Sequence, residues 1–165
     1  MGFTVKHIID TDVDGHWRLF FDLELARAMH REYPDLGTFE IIEERIENGL
    51  EHRRIECRPN VELPDFVKKL VGDSSYFEVG CFDTVQKKYS AYCVPKRGAE
   101  MFKSSYEVTA RPIEDGKRCE RVTVIQNSVK LFGFGAMAER MLERTHREAH
   151  DLSASFINKW LRSQH

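Results

Sequence analysis

At 165 residues the chain is long enough for one domain, expected over 1–165, with a sizeable core. Its 25 Lys+Arg against 27 Asp+Glu leave it near neutral, so no general field draws it to nucleic acid. The N-terminus has no basic flank followed by an apolar run and no stretch approaches ~20 apolar residues, which disfavours secretion and membrane spanning and points to a soluble cytoplasmic protein.

In chain order, "FTVKHII" reads as a short strand. Residues 15–31 carry Trp17, Phe20, Phe21, Leu25, Ala28 and Met29 near helical spacing, as one or two short helices. The period then changes. "TFEIIEERIE" (38–47) and "LEHRRIECR" (50–58) are strands joined across Asn48-Gly49, a strong hairpin signal. Residues 63–72, "LPDFVKKLVG", space Leu63, Phe66, Val67 and Leu70 as one helical face, with Pro64 at the start and Gly72 as a stop. Four more strand-like segments follow, "SYFEVGCFD", "VQKKYSAYCV", "EMFKSSYEVTAR" and "KRCERVTVIQNSVK". In the third of these, Phe102, Ser104, Tyr106, Val108 and Ala110 share one face, as in a sheet with one buried and one wet side. The last stretch has no proline. Phe134, Ala138, Met141, Thr145, Ala149, Leu152, Phe156 and Trp160 predict a long helix with one apolar stripe. Cys57, Cys81, Cys93 and Cys119 each fall inside a strand segment without a C-x-x-C pair, and read as reduced, buried thiols.

The fold class that follows is α+β. A curved antiparallel sheet of about six or seven strands wraps one long C-terminal helix, with short helices after the first strand. Such a sheet need not be filled everywhere by side chains, so a cavity between sheet and helix is expected.

Three motifs suggest chemistry and fail on counting. "DTDVDG" starts like a calcium loop, with Asp10, Asp12, Asp14 and Gly15 at positions 1, 3, 5 and 6, but the position of the bidentate glutamate is Phe21. Asp12 or Asp14 reads instead as the cap of the first helix, feeding Trp17 into the core. "GFGAMA" resembles a dinucleotide fingerprint, yet no strand follows its helix, and Gly133 and Gly135 read as a sharp bend. His146 and His150 have a zinc-compatible spacing without the glutamate of the metalloprotease patterns, and read as solvated. No catalytic residue, metal or cofactor is assigned. Glu43, Arg53, Arg54 and Glu56 are the polar groups of the second and third strands that acid–base work would draw on.

With these elements laid out, "DVDGHWRLFFD" and the long "GAMAERMLERTHREAHDLSASFINKWL" helix make the chain resemble the START-like superfamily. This is the helix-grip, polyketide-cyclase and lipid-transport type. "RPNVELPDFVKKLVGDSSYFEV" and the run to "NKWL" are similar to PRELI-like lipid-transfer proteins and to a bacterial branch of similar length. That resemblance implies a lid over a lipid cavity for Leu63, Pro64, Phe66, Val67 and Leu70, although Tyr33-Pro34 is spaced differently from the PRELI-like pattern.

The expected function is binding or transport of a hydrophobic small molecule, a lipid by preference. Arg53, Tyr89, Cys93, Phe102, Tyr106, Val108, Phe134, Met137, Met141 and Thr145 would line the cavity, with Arg53 facing a headgroup. The alternatives are a cyclase- or dehydratase-type enzyme using the same cavity, and a protein-interaction module. Lys68 and Lys69 beside the lid allow a transient contact with a membrane surface. The lid segment reads equally well as a plug for the end of the sheet.

Overall fold

A computed structural model describes residues 1–165. The strands are β1 (Gly2–Ile9), β2 (Thr38–Glu47), β3 (Leu50–Arg58), β4 (Tyr76–Asp83), β5 (Lys88–Pro95), β6 (Phe102–Ile113) and β7 (Arg118–Val129). The helices are α1 (Val13–Phe20), α2 (Leu23–Glu32), α3 (Asp65–Val71) and α4 (Gly135–Ser163). The seven strands form one sheet in the order β1-β7-β6-β5-β4-β3-β2. Every pairing is antiparallel, a meander from β2 to β7 with β1 returning to its far edge. This is the α+β sheet-and-helix architecture that the sequence pattern predicts, in the helix-grip form that the resemblance implies.

Local chemistry explains the punctuation. Asn48 and Gly49 both have positive φ, 52° and 76°, which suits the tight hairpin between β2 and β3. Asp12 stands in extended conformation and accepts from the Gly15 backbone N–H at 2.6 Å, so the apparent calcium loop is a helix cap. Asp22 caps α2 in the same way, accepting from the Glu24 and Leu25 N–H groups. Pro64 lies just outside α3, and Gly72, at φ 82°, ends it. A side chain on Gly135 would meet the Val129 carbonyl oxygen at 2.8 Å, so the bend into α4 brings the helix hard against the end of β7.

Packing is divided. One apolar cluster, Ile9, Leu25, Cys119, Ala154, Phe156 and Ile157, ties α2 and the second half of α4 to β1 and β7. A second, Trp17, Phe82, Tyr89, Ala91 and Val108, seals α1 onto the middle strands. Helix α4 rests on β1 and β7 and touches α2, with no comparable contact to β3, β4 or β5. The concave face of those strands is therefore not covered by the helix along its length. No helix is long and apolar enough to cross a membrane.

The apolar stripe of α4 is turned relative to the sequence expectation. Thr145 and Ala149 are exposed, Thr145 donating to the Met141 carbonyl, while His146 and His150 face the sheet. The inward row runs through Ala138, Leu142, His146, His150, Ala154 and Ile157, stepping by three or four residues. A polar pair in that row hid it from a reading that followed hydrophobicity alone.

Candidate functional site: the concave face beneath the long helix

Strand register decides which side chains meet inside the curve of the sheet. Val108 pairs with Thr123 and Tyr89, and Tyr106 with Ile125 and Ala91, which sets the alternate residues Ser104, Tyr106 and Val108 on the inner side. The same register carries Tyr89 and Cys93 of β5 inward, then Tyr76, Glu78, Gly80 and Phe82 of β4, then Arg53, Ile55 and Cys57 of β3. The inward aim expected for Arg53 is what the register produces.

At the centre of this face Tyr89 donates its hydroxyl to Glu78 Oε1 at 2.8 Å. It reaches there by lying across Gly80, where a β-carbon would stand 1.8 Å from the hydroxyl oxygen. Burial raises the pKa of Tyr89, and Glu78 beside it raises it further. Arg53 is held flat among aromatic rings, its guanidinium carbon 5.1 Å from the Phe21 centroid, 5.5 Å from Tyr89 and 6.0 Å from Phe20. Burial works against its charge, but the Tyr89 hydroxyl and Glu78 outweigh it and lift the guanidinium above its ordinary value. Its Nε is buried with no hydrogen-bond partner. A cleft of about 450 Å³ opens beside it, lined by Phe21, Glu44, Arg45, Ile46, Glu51, His52 and Arg53. A second cleft of about 650 Å³ lies between α2 and β2.

Deeper along the face stand Tyr76, Cys93 and Tyr106, whose pKa values burial pushes well above their ordinary range. Burial likewise lifts Cys57 to about 12, so these thiols are protonated and poor nucleophiles. All four side chains nevertheless keep accessible surface.

The side of α4 that faces the sheet is polar at its middle. His146 Nε2 lies 3.3 Å from Ser104 Oγ, which donates to Asn127 Oδ1 at 2.8 Å. The His150 ring stands edge-on to Tyr106 at 6.3 Å. Burial lowers His146, and burial with the nearby Arg121 charge takes His150 down to about 3. Arg121 is spoken for: it donates to the His150 carbonyl at 3.0 Å and to Ser153 Oγ at 3.3 Å, pinning α4 to β7. His16 on α1 is 1% exposed with neither ring nitrogen partnered, and burial takes it down to about 4.

Of the residues expected to line a cavity, Arg53, Cys93, Phe102 and Tyr106 come together on the half-open inner face, and Met141 is partly buried on the adjoining helix. Tyr89 and Val108 point the same way but are sealed beneath Trp17. Thr145 lies outside, and Phe134 and Met137 are 51% and 42% exposed at the start of α4. Of the strand polar groups, Glu43 is exposed and Arg54 stacks on Phe77, while Glu56 pairs with Lys96 and Arg58. In the lid segment Val67 is buried, and Phe66 stacks on Phe134 with centroids 5.1 Å apart. Glu78 and Tyr76 escaped the sequence reading, and His146 and His150, expected to be solvated, instead face Ser104 and Tyr106 of the sheet. Period-two alternation along β4 carries the signal for Glu78 and Tyr76, since it places them with Gly80 and Phe82.

No protein-family model matches the chain, and no curated protein matches it in sequence. Solved structures match it in fold. The Zhui aromatase/cyclase from Streptomyces sp. R1128 is 13% identical, with a TM-score of 0.63 over 96% of this chain and 92% of its own. A START superfamily protein from Mycobacterium smegmatis is 12% identical, with a TM-score of 0.64 over 96% and 98%. Norcoclaurine synthase from Thalictrum flavum is 14% identical, with a TM-score of 0.65 over 98% and 86%. At such identities the likeness is one of fold: the chain has the helix-grip fold of the START-like superfamily.

Proposed function

We propose that the chain binds and carries a small, largely apolar molecule, a lipid by preference, in the space between the inner sheet face and α4. The observation that supports this most is the set of deep side chains, Tyr76, Cys93, Phe102 and Tyr106, that keep accessible surface instead of packing against the helix. Apolar burial at roughly 25 cal/mol per Å² supplies the affinity, and the polar groups between Arg53 and His146 orient the ligand. Helix α3 acts as a lid whose Phe66 rests on Phe134, and the exposed Phe132 beside Lys130 with Lys68 and Lys69 gives that end a surface suited to transient membrane contact. The fold neighbours include an aromatase/cyclase and norcoclaurine synthase, and the neutral His146 and His150 beside Ser104 and Tyr106 favour, as a second reading, acid–base chemistry on the same ligand.

The test is native mass spectrometry of protein purified from its host, with extraction of bound hydrophobes and a vesicle-to-vesicle transfer assay. A co-purifying hydrophobe and measurable transfer are expected. Finding neither overturns the carrier reading. Extracts chemically altered by the wild-type protein, but not by a His146→Gln, His150→Gln double variant that still binds them, would move the assignment to the enzyme.

A further inference from the structure

We infer that Arg53 is the receptor for the carboxylate of an organic monoacid seated in this interior, an assignment that rests on the ligand-binding reading above. The guanidinium is preorganised by three aromatic rings and cannot easily swing away to find another partner. Its Nε is buried and unpartnered, although a planar donor fork is built for a bidentate oxygen acceptor. Glu78, the carboxylate that acts on Arg53, already accepts the Tyr89 hydroxyl. Glu44, the cross-strand partner of Arg53 on β2, and Glu51 line the adjoining cleft without a hydrogen bond or ion pair to the guanidinium. A buried cation in that condition is costly unless an acceptor reaches it. Arg121, more deeply buried, also has an unpartnered Nε, but its terminal nitrogens are taken by a helix carbonyl and a serine hydroxyl.

Charge limits the acceptor. Glu78 already opposes the Arg53 cation, and Glu44 and Glu51 line the cleft, so each further negative charge is penalised: a carboxylate adds one and a phosphate dianion two. The acid group therefore lies at the Phe21 end, where the cleft of about 450 Å³ admits it, and the apolar body runs inward past Tyr106 toward Cys93 and Phe102.

Titration calorimetry of the full chain near neutral pH with dodecanoate, dodecan-1-ol and dodecyl phosphate, each below its aggregation limit, tests this. Dodecanoate should bind at least about tenfold tighter than the alcohol, the scale of one charge-assisted bidentate contact. Arg53→Gln should bring the acid to the level of the alcohol and leave the alcohol within about twofold. Arg53→Lys, which keeps the charge and loses the fork, should fall between. Equal affinity for acid and alcohol in the unmodified protein overturns the inference without any variant, as does a preference that survives Arg53→Gln. An Arg53-dependent advantage of dodecyl phosphate over dodecanoate overturns the carboxylate in favour of a phosphate. If none of the three binds, the ligand-binding reading itself falls.

Discussion

Tyr89 reaches Glu78 only because residue 80, between them, carries no side chain: the hydroxyl lies 2.8 Å from the carboxylate and occupies the place of a β-carbon. That crossing fixes the two groups that set the electrostatics around Arg53, and it ties strand β5 to β4 through side chains as well as backbone.

Gly80→Ala should therefore act as an overpacking change, not as a neutral loss of flexibility. The new methyl would meet the Tyr89 ring carbons at 2.3 and 2.8 Å, and the ring is held under Trp17 and Phe20. A loss of about 1–3 kcal/mol is expected in denaturant unfolding. A change below about 0.5 kcal/mol would mean that the ring is free to move.

Acidification should unfasten α4. Burial lowers His16, to about 4, and His146, and together with Arg121 lowers His150, to about 3, all below the ordinary value of 6.5. The unfolded chain then binds more protons than the native one as pH falls below 6.5. Stability is fully present above that value and is lost on the way down towards 4, on the order of 3 kcal/mol. The groups that face these rings are Arg121 on β7, His7 on β1, Tyr106 and Ser104 on β6, and Asp151 on α4. Thermal melts between pH 7 and pH 4 check the slope, and a melting temperature flat over that range would refute it. His150→Gln should flatten part of it.

Within α3, neighbouring residues should separate stability from exchange. Val67 is 5% exposed, so Val67→Ala should cost about 1 kcal/mol or more in unfolding. Replacing Phe66 and Leu70 with Ser should leave the melting temperature within a few degrees while slowing vesicle-to-vesicle transfer, because the Phe66–Phe134 stack is at the surface. Unchanged transfer would identify α3 as a structural plug.

The aspartate run near the N-terminus should behave as a cap. Asp12→Ala removes the acceptor of the Gly15 N–H and should cost roughly 1 kcal/mol. Millimolar calcium should leave the melting temperature of the unmodified protein where it was, and a calcium-dependent rise would restore the metal reading.

Much of this molecule was legible from residue order. Hairpin chemistry at Asn48-Gly49, the stop at Gly72 and alternation along β6 fix element order and the inner face of the sheet without any long-range information. The long helix was harder. Its buried row includes two histidines, whose burial depends on Ser104 and Tyr106 from a strand about forty residues earlier, and no local signal carries that. Arg53 was found because Ile55 and Cys57 share its side of β3. Glu78 was missed because an acid on a half-polar strand looks like a solvent residue until Tyr89 is placed over Gly80.

The long helix grips one flank of the sheet, β1 and β7, and leaves the strands from β5 to β2 to one another and to the aromatic cluster of α1. Mechanically the sheet is a cantilever, clamped on one side and free on the other, with the exposed edge strand β2 at its tip. Bending such a beam widens or narrows the interior without breaking a single rung between strands. If the carrier proposal holds, the aperture would be set by elastic curvature, and ligands of different girth would be accommodated at small and graded cost. Amide exchange should map this gradient, slowest in β7 and fastest towards β2.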